Sequence, residues 1–379
     1  MLDASERERY GRQLLLPELG EAGQERLKAA RVLLVGAGGL GSPAALYLAA
    51  AGVGTLCIVD HDRVEASNLH RQVLFDTADI GAPKAEVAAR RLRALNPAIR
   101  VEPRVLRLDA GNVLELASGH DLVVDGSDRL ATRYLVADAC VLAGKPLVSA
   151  AIHRFEGQAF SYRPGAPCYR CLFPESARAA APSCAEAGVL GVLPGILGSL
   201  QAAEAIKQLA GIGEPLLGRL LVLDALALRC QEFRFQRRTD CAVCGAGPTI
   251  RCPADTMASL VDNSSAEIPR LSALELQLRI REPPPTGHNV LVVDVREAAE
   301  FALGHLPGSC NLPLRELPGR LGELAGSTQV AFVCRGGSRS LQAATLARAA
   351  GNLQVATLEG GLLAWQSAID QTLVVAPAP

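Results

Sequence analysis

The stretch 31–60, RVLLVGAGGLGSPAALYLAAAGVGTLCIVD, decides the fold of the N-terminal part of the chain. It opens on an apolar run, RVLLV, turns through glycines, crosses an Ala-rich helical segment and returns to a second apolar run, TLCIV, that ends on Asp60. Short apolar runs separated by a helical segment predict buried parallel strands joined by a crossover helix. Gly36, Gly38 and Gly41 form G-x-G-x-x-G between the first strand and the helix. Glycines there permit a tight turn and let phosphates reach backbone N–H groups at the helix N-terminus. Asp60 stands where an acid holds a ribose hydroxyl, or simply caps a turn. Alone, the motif suits NAD, FAD or ATP.

Working outward, DLVVDGSD (from Asp121) and PLVSAAI (from Pro146) repeat the pattern of apolar run and turn. Residues 1–245 therefore read as a doubly wound α/β sheet. The most apolar region, 188–209, is interrupted by Pro194, Glu204 and Lys207, which predicts a buried helix and its approach and not a membrane span. After Cys244 the texture loses periodicity and gains Gly, Pro, Ser and Asp, so 246–267 reads as a linker. Order resumes near Ile268 with the helical LSALELQLRIRE, the strand VLVVDVRE and the strand QVAFVC, which runs into a Gly-rich turn and a helix beginning near Ser338. This predicts a second, smaller α/β unit over 268–374.

The bulk numbers agree with two globular domains. The 379 residues are 49% hydrophobic and 20% charged, with a formal net charge of −1 that offers no footprint for nucleic acid or an anionic membrane. The N-terminus, MLDASERERYGRQ, is charged where a signal peptide is apolar, and the expected location is cytoplasmic. Eleven cysteines in such a chain favour reduced thiols engaged in metal or sulfur chemistry over a disulfide framework.

Close behind the glycines come Asp62, Asn68, Arg71, Gln72 and Lys84. Two cations, an amide pair and acids this near a phosphate loop suit a triphosphate with Mg²⁺ better than a pyrophosphate bridge, the plain alternative being a solvated polar face. Asp128 follows a predicted strand, at the sheet edge where open α/β folds bind ligands, and is a candidate for Mg²⁺ or phosphate orientation. Cys168-x-x-Cys171 and Cys241-x-x-Cys244 would give a closed tetrahedral zinc shell, although the wide separation leaves a redox pair open. Cys184, in the Gly/Pro-flanked PSCAEAGVLG, reads either as a resolving thiol or as an inert loop residue. In Cys334-Arg335-Gly336-Gly337-Ser338-Arg339 a strand ends and a helix begins. Converging backbone N–H groups, the helix dipole and two arginines would favour a thiolate there. The four residues between Cys334 and Arg339 make a tighter loop than the five of tyrosine phosphatases, a size suited to one added sulfur atom.

Together, RYGRQ, VGAGGLGSP, DHDRVEASNLHRQ, GAPKAEVAA, LNP and VVDGSD resemble the E1-like adenylyltransferases of the MoeB/ThiF/HesA family over about 10–245. That resemblance implies ATP-dependent adenylation of the C-terminal Gly-Gly of a ubiquitin-fold sulfur-carrier protein. Gly38 and Gly41 would cradle phosphates, Asp60 would hold the ribose, and Asn68, Arg71 and Lys84 would contact the phosphates. Asp128 would position Mg²⁺ or the α-phosphate, and Arg12 in RYGRQ would be lent across a homodimer interface to the partner's ATP. The resemblance also implies a structural zinc at the four paired cysteines. One departure is Arg129, where the family often has Asn. VVDVRE, GHLPGSCNLP and LEGGLLAW resemble a rhodanese domain over about 268–370, making Cys334 a persulfide carrier and Asp294 with Arg296 a structural acid–base pair.

The combination resembles the MoeZ-type adenylyltransferase/sulfurtransferases. It implies an enzyme that adenylates its carrier and then passes on sulfur, taken from thiosulfate or a cysteine desulfurase, as a Cys334 persulfide. The product would be a carrier thiocarboxylate for molybdopterin or another sulfur-containing product. Two rivals stand beside it: an E1-like activator whose rhodanese module only docks or regulates, and a nicotinamide oxidoreductase, which leaves Arg71, Lys84 and the Cys334 loop without a role.

Overall fold

A computed structural model describes residues 1–174, 188–254, 256, 268–281, 290–324, 329–349 and 354–375. The chain forms two compact units, Met1–Asn263 and Ser264–Pro379.

The first unit is built on an eight-stranded sheet: β1 (Arg31–Val35), β2 (Thr55–Val59), β3 (Arg100–Arg104), β4 (Leu122–Asp125), β5 (Leu147–His153), β6 (Glu156–Tyr162), β7 (Arg219–Asp224) and β8 (Arg229–Arg234). Its order is β3-β2-β1-β4-β5-β6-β7-β8. The first five strands in that order are parallel, as the apolar runs predict. Alternate side chains of β1 leave on opposite faces. Val32 and Leu34 pack with the helices Gly41–Ala50 and Lys84–Leu95, whereas Leu33 and Val35 pack with the helix Leu130–Leu142. Helices on both faces make the unit doubly wound. The region around Pro194 forms the helix Val192–Ala210, with Leu193, Leu197, Ala202 and Ala205 buried, as expected for a core helix.

From β5 onward the sheet differs from a purely parallel one, because β6, β7 and β8 are antiparallel. Every residue of β8 is exposed, so its sequence RCQEFR carries no alternation that would have predicted a strand. The first unit also continues past Gly245, where the sequence texture suggests a linker. Ile250 is buried in the core, and the buried Thr256 hydroxyl donates to Asp138 Oδ2 at 2.9 Å. A few anchoring side chains suffice to hold an aperiodic segment.

The second unit has a five-stranded, wholly parallel sheet: β9 (Arg270–Leu271), β10 (Leu291–Asp294), β11 (Cys310–Asn311), β12 (Gln329–Val333) and β13 (Gln354–Leu358), in the order β11-β10-β12-β13-β9. Separate apolar clusters cover its two faces, one around Phe332 and Ala344, the other around Leu276, Leu362 and Trp365. Beneath this sheet lies a fully buried ion pair. Arg296 donates from Nε and Nη2 to Asp294 at 3.0 and 2.7 Å, and Nη2 also donates to the Gly304 carbonyl at 2.7 Å. A charge pair buried this completely is costly to break from one side, by about 3–5 kcal/mol. Its placement matches the structural role expected for Asp294 and Arg296.

Candidate functional site

Parallel registers bring the ends of β2, β1 and β4 to one line: Val59 pairs with Val35, and Val35 with Asp125. The next residues, Asp60, Gly36 and Gly126, therefore stand side by side at the carboxyl edge. The strand order reverses between β1 and β4, and this is where open α/β sheets leave a ligand crevice. Gly36 turns there with φ +85°. A Cβ on Gly41 would lie 1.9 Å from the Gly36 carbonyl oxygen, so only glycine lets the helix begin this close to the strand.

The segment 65–72 folds over this turn. Gln72 Nε2 lies 3.6 Å from the position a Cβ on Gly38 would take, and Arg71 Cγ 3.6 Å from that of Gly39. Asn68 and Gln72 are buried, yet Asn68 Oδ1 and Gln72 Oε1 have no hydrogen-bond partner among the described residues. Buried amide oxygens without partners are costly, and a terminal amide can turn either its oxygen or its N–H₂ group to a ligand. Arg71 Nη1 donates to the Ser67 carbonyl at 2.9 Å and sits 2.8 Å from His70 Nε2. Lys84, buried at the first turn of its helix, reaches the exposed Asp62 carboxylate at 3.3 Å. Asp60 is more enclosed than its sequence position suggests. Its carboxylate accepts from Ala37 N and Asp62 N, both at 2.8 Å, so it braces the glycine turn. Burial pushes its pKa up against the pull of these two amides. Arg12, in the helix Gly11–Leu14, is exposed.

Asp128 is exposed between β4 and the helix Leu130–Leu142. Beside it opens a cavity of about 510 Å³ lined by Arg129, Arg133, Ile152, Phe160, Tyr169 and Leu220 among others. Its walls are largely apolar, and charged groups of both signs, Asp128 and Glu156 as well as Arg129 and Arg133, line it. Two residues here escaped the sequence survey. Asp125 is fully buried with its pKa raised by burial, and Ser127 donates to it from both N and Oγ. The signal was present as the first acid of VVDGSD, although nothing in the motif shows its burial.

Cys168, Cys171, Cys241 and Cys244 converge although 73 residues separate facing members of the two pairs. Their Sγ atoms lie 3.8 Å (168 to 171), 3.6 Å (168 to 241) and 3.4 Å (171 to 244) apart. A tetrahedral metal with M–S near 2.3 Å requires sulfur–sulfur edges of about 3.8 Å, so the cluster fits zinc in size and donor type. Four buried thiols this close cannot all ionise by themselves. The bond between Cys168 and Cys241 holds the Cys168 proton firmly and draws Cys241 down to about 4. The Arg238 N–H donates to Cys171 Sγ at 3.4 Å, an outer contact of the kind that surrounds thiolate ligands. Cys184 lies outside the described residues.

In the second unit Cys334 follows β12 and is buried, with 1% of the residue exposed. Gly337 N and Ser340 N donate to Sγ at 3.1 and 3.3 Å, and Ser340 Oγ lies 3.5 Å away. The amides converge as the Gly-rich turn predicts. Arg339 forms a two-pronged pair with Glu300, Nη1–Oε2 2.7 Å and Nη2–Oε1 2.8 Å, which ties the loop to the helix Ala298–Leu303 while the guanidinium stays within electrostatic reach of Cys334. Burial pushes Glu300 up, but Arg339 and the Glu297 N–H outweigh it and hold the carboxyl below its usual range.

Residues 10–243 match the ThiF family, and residues 272–368 match the rhodanese-like domain. The chain belongs to the ThiF family, in its two-domain adenylyltransferase/sulfurtransferase branch. Several ThiF-family relatives support that placement. A Thermus thermophilus sulfur carrier protein adenylyltransferase is 56% identical over 65% of this chain and 93% of its own length. The Bos taurus adenylyltransferase and sulfurtransferase MOCS3 is 43% identical over 98% of this chain and 88% of that protein. The Mycobacterium tuberculosis probable adenylyltransferase/sulfurtransferase MoeZ is 41% identical over 99% and 96%. Among solved structures, E. coli MccB with ATP superimposes with a TM-score of 0.56 at 27% identity, covering 64% of this chain and 75% of that one. No helix among the described residues is long and apolar enough to cross a membrane.

Proposed function

We propose that the first unit uses ATP to adenylate the C-terminal Gly-Gly of a small ubiquitin-fold sulfur carrier, and that Cys334 then delivers the sulfur that makes it a thiocarboxylate. What carries this reading is the crevice at the strand reversal, where a glycine turn, two buried amide oxygens without partners among the described residues and the cations Arg71 and Lys84 stand together. That set suits a triphosphate, and the chain aligns along nearly its whole length with adenylyltransferase/sulfurtransferases.

In this scheme Gly38 and Gly41 shape the phosphate turn and Asp60 faces the ribose. Asn68, Arg71, Gln72 and Lys84 grip the phosphates, and Lys84 leaves Asp62 to do so. Arg12 reaches the ATP of a second copy in a homodimer. Asp128 would hold Mg²⁺, which supplies charge neutralisation on the phosphates. The carrier tail enters the cavity beside Asp128, and its carboxylate attacks the α-phosphorus with pyrophosphate leaving. No protein nucleophile is required, since position and neutralised charge lower the barrier.

At the second unit the Cys334 thiolate attacks the outer sulfur of thiosulfate, releasing sulfite, or that of a desulfurase persulfide, releasing a cysteine thiolate. The persulfide attacks the acyl-adenylate carbonyl and AMP departs. A second thiol, assigned to Cys184, cuts the acyl disulfide at Cys334 Sγ, leaving the carrier thiocarboxylate and a protein disulfide that a cellular thiol reduces. The four paired cysteines would hold a structural zinc, and the enzyme would work in the cytoplasm, serving molybdopterin or another sulfur-containing product. ATP–pyrophosphate exchange tests the first half: it should require the carrier's terminal Gly-Gly. Equal exchange with a carrier lacking those two residues would overturn it.

A further inference from the structure

The nucleotide crevice contains a buried carboxylate that the scheme above does not use. Asp125 ends β4 in the row Val59–Val35–Asp125–Ser149, at the strand reversal itself. A carboxylate this deep usually sits against a cation that hydrogen-bonds it. Among the described residues the donors to Asp125 are instead hydroxyls and an amide: Ser127 N at 3.0 Å and Ser127 Oγ at 2.6 Å on Oδ1, and Ser149 Oγ at 2.9 Å on Oδ2. Its backbone is fixed as well, since Gln201 Nε2 donates to the Asp125 carbonyl at 2.7 Å. Ser127 is gripped from its other side too, because Arg133 Nη2 donates to its carbonyl at 3.0 Å. The next residue is Asp128, which emerges exposed beside the cavity.

The geometry points to Asp125 as a positioning residue for adenylation, which sets Asp128 through its double hold on Ser127. Two hydrogen bonds accepted by one carboxylate oxygen fix both the backbone and the side chain of Ser127. Charge-assisted bonds of this kind are the stronger class, and in a dry site they hold a loop rigidly. A misplacement of about 1 Å at a phosphoryl-transfer site can cost roughly a hundredfold in rate.

This rests on the adenylation reading, and a double-mutant cycle separates the two. ATP–pyrophosphate exchange is measured on the full chain with carrier for wild type, Ser127→Ala, Asp128→Ala, Ser127→Ala/Asp128→Ala and Asp125→Asn. Ser127→Ala should lower kcat by roughly tenfold to a hundredfold and change KM for ATP by less than about threefold. The double variant should be no slower than Asp128→Ala, because the serine acts only through that residue. Asp125→Asn keeps the acceptor oxygen for Ser127 and should lose less than Ser127→Ala. If Asp125→Asn fails to fold, the serine cycle still decides. Multiplying losses in the double variant would overturn the positioning role while leaving adenylation intact. A wild-type chain without exchange activity would overturn the adenylation reading and this proposal with it.

Discussion

The glycine turn at Gly36 and the loop at Cys334 are built alike and finished differently. Both follow a strand of a parallel sheet, and both lead into a helix whose first amides face the turn. In the first unit the surrounding polar groups are left waiting: Asn68 Oδ1 and Gln72 Oε1 have no partner among the described residues, and Lys84 rests on an exposed Asp62. In the second unit Gly337 N and Ser340 N already hold one sulfur atom, and Arg339 is committed to Glu300. The first is an open cradle, and the second a cradle closed around one sulfur atom. The same strand–turn–helix device is thus finished in two ways, according to whether the polar groups around it already have partners.

The sharpest break in that comparison is a double dissociation. Cys334→Ala should abolish thiosulfate sulfurtransferase activity and leave carrier-dependent ATP–pyrophosphate exchange unchanged. Lys84→Ala or Asp128→Ala should lower exchange by roughly 10²–10³-fold, as when a charge-stabilising group is removed, without touching the sulfurtransferase reaction. Loss of both activities in either variant would contradict two separate cradles.

Next in size is the metal cluster. Removal of the proposed zinc by a chelator, or Cys168→Ser, should unfold the first unit, because the two knuckles pin the 241–244 turn onto Cys168 and the helix Tyr169–Leu172. The single tryptophan, Trp365, is buried in the second unit and should keep its native fluorescence throughout. A Trp365 shift on chelation would show that the second unit depends on the metal.

Gly361→Ala probes the closed cradle. Its Cβ would fall 2.4 Å from the Cys334 carbonyl and 2.6 Å from that of Arg335, at φ +62°. A loss of roughly 1–3 kcal/mol is expected in the Trp365-monitored unfolding transition, with pyrophosphate exchange unaffected. The smallest effect concerns Glu300. Its carboxyl is held below its unfolded range, so its contribution is fully present above the unfolded value, near 4.3, and is lost as pH falls through the lowered folded value. Glu300→Gln should flatten the acid limb of the same transition. An unchanged acid limb would show that the Arg339 pair adds nothing to stability.

Much of this was legible in the residues. Short apolar runs ending in glycine or acid fixed the parallel strands, since a strand buried on both faces has no room for polar residues. The four cysteines were legible by type and pairing. What escaped depends on contacts far along the chain. β8 is a strand because β7 pairs with it, not because RCQEFR alternates. Glu300, 39 residues before Arg339, holds its guanidinium, a partner that the loop motif alone does not reveal. The burial of Asp125 and its bonds from Ser127 depend on the fold around β4 and are not visible in VVDGSD.

The two cradles belong to one reaction only if sulfur passes between them. The direct measurement is the mass of a Gly-Gly-ended carrier after incubation with the full chain, Mg·ATP and thiosulfate. Wild type should exchange one carrier oxygen for one sulfur, and Cys334→Ala should leave the carrier without sulfur while still releasing pyrophosphate. The same sulfur gain with Cys334→Ala as with wild type would contradict the account.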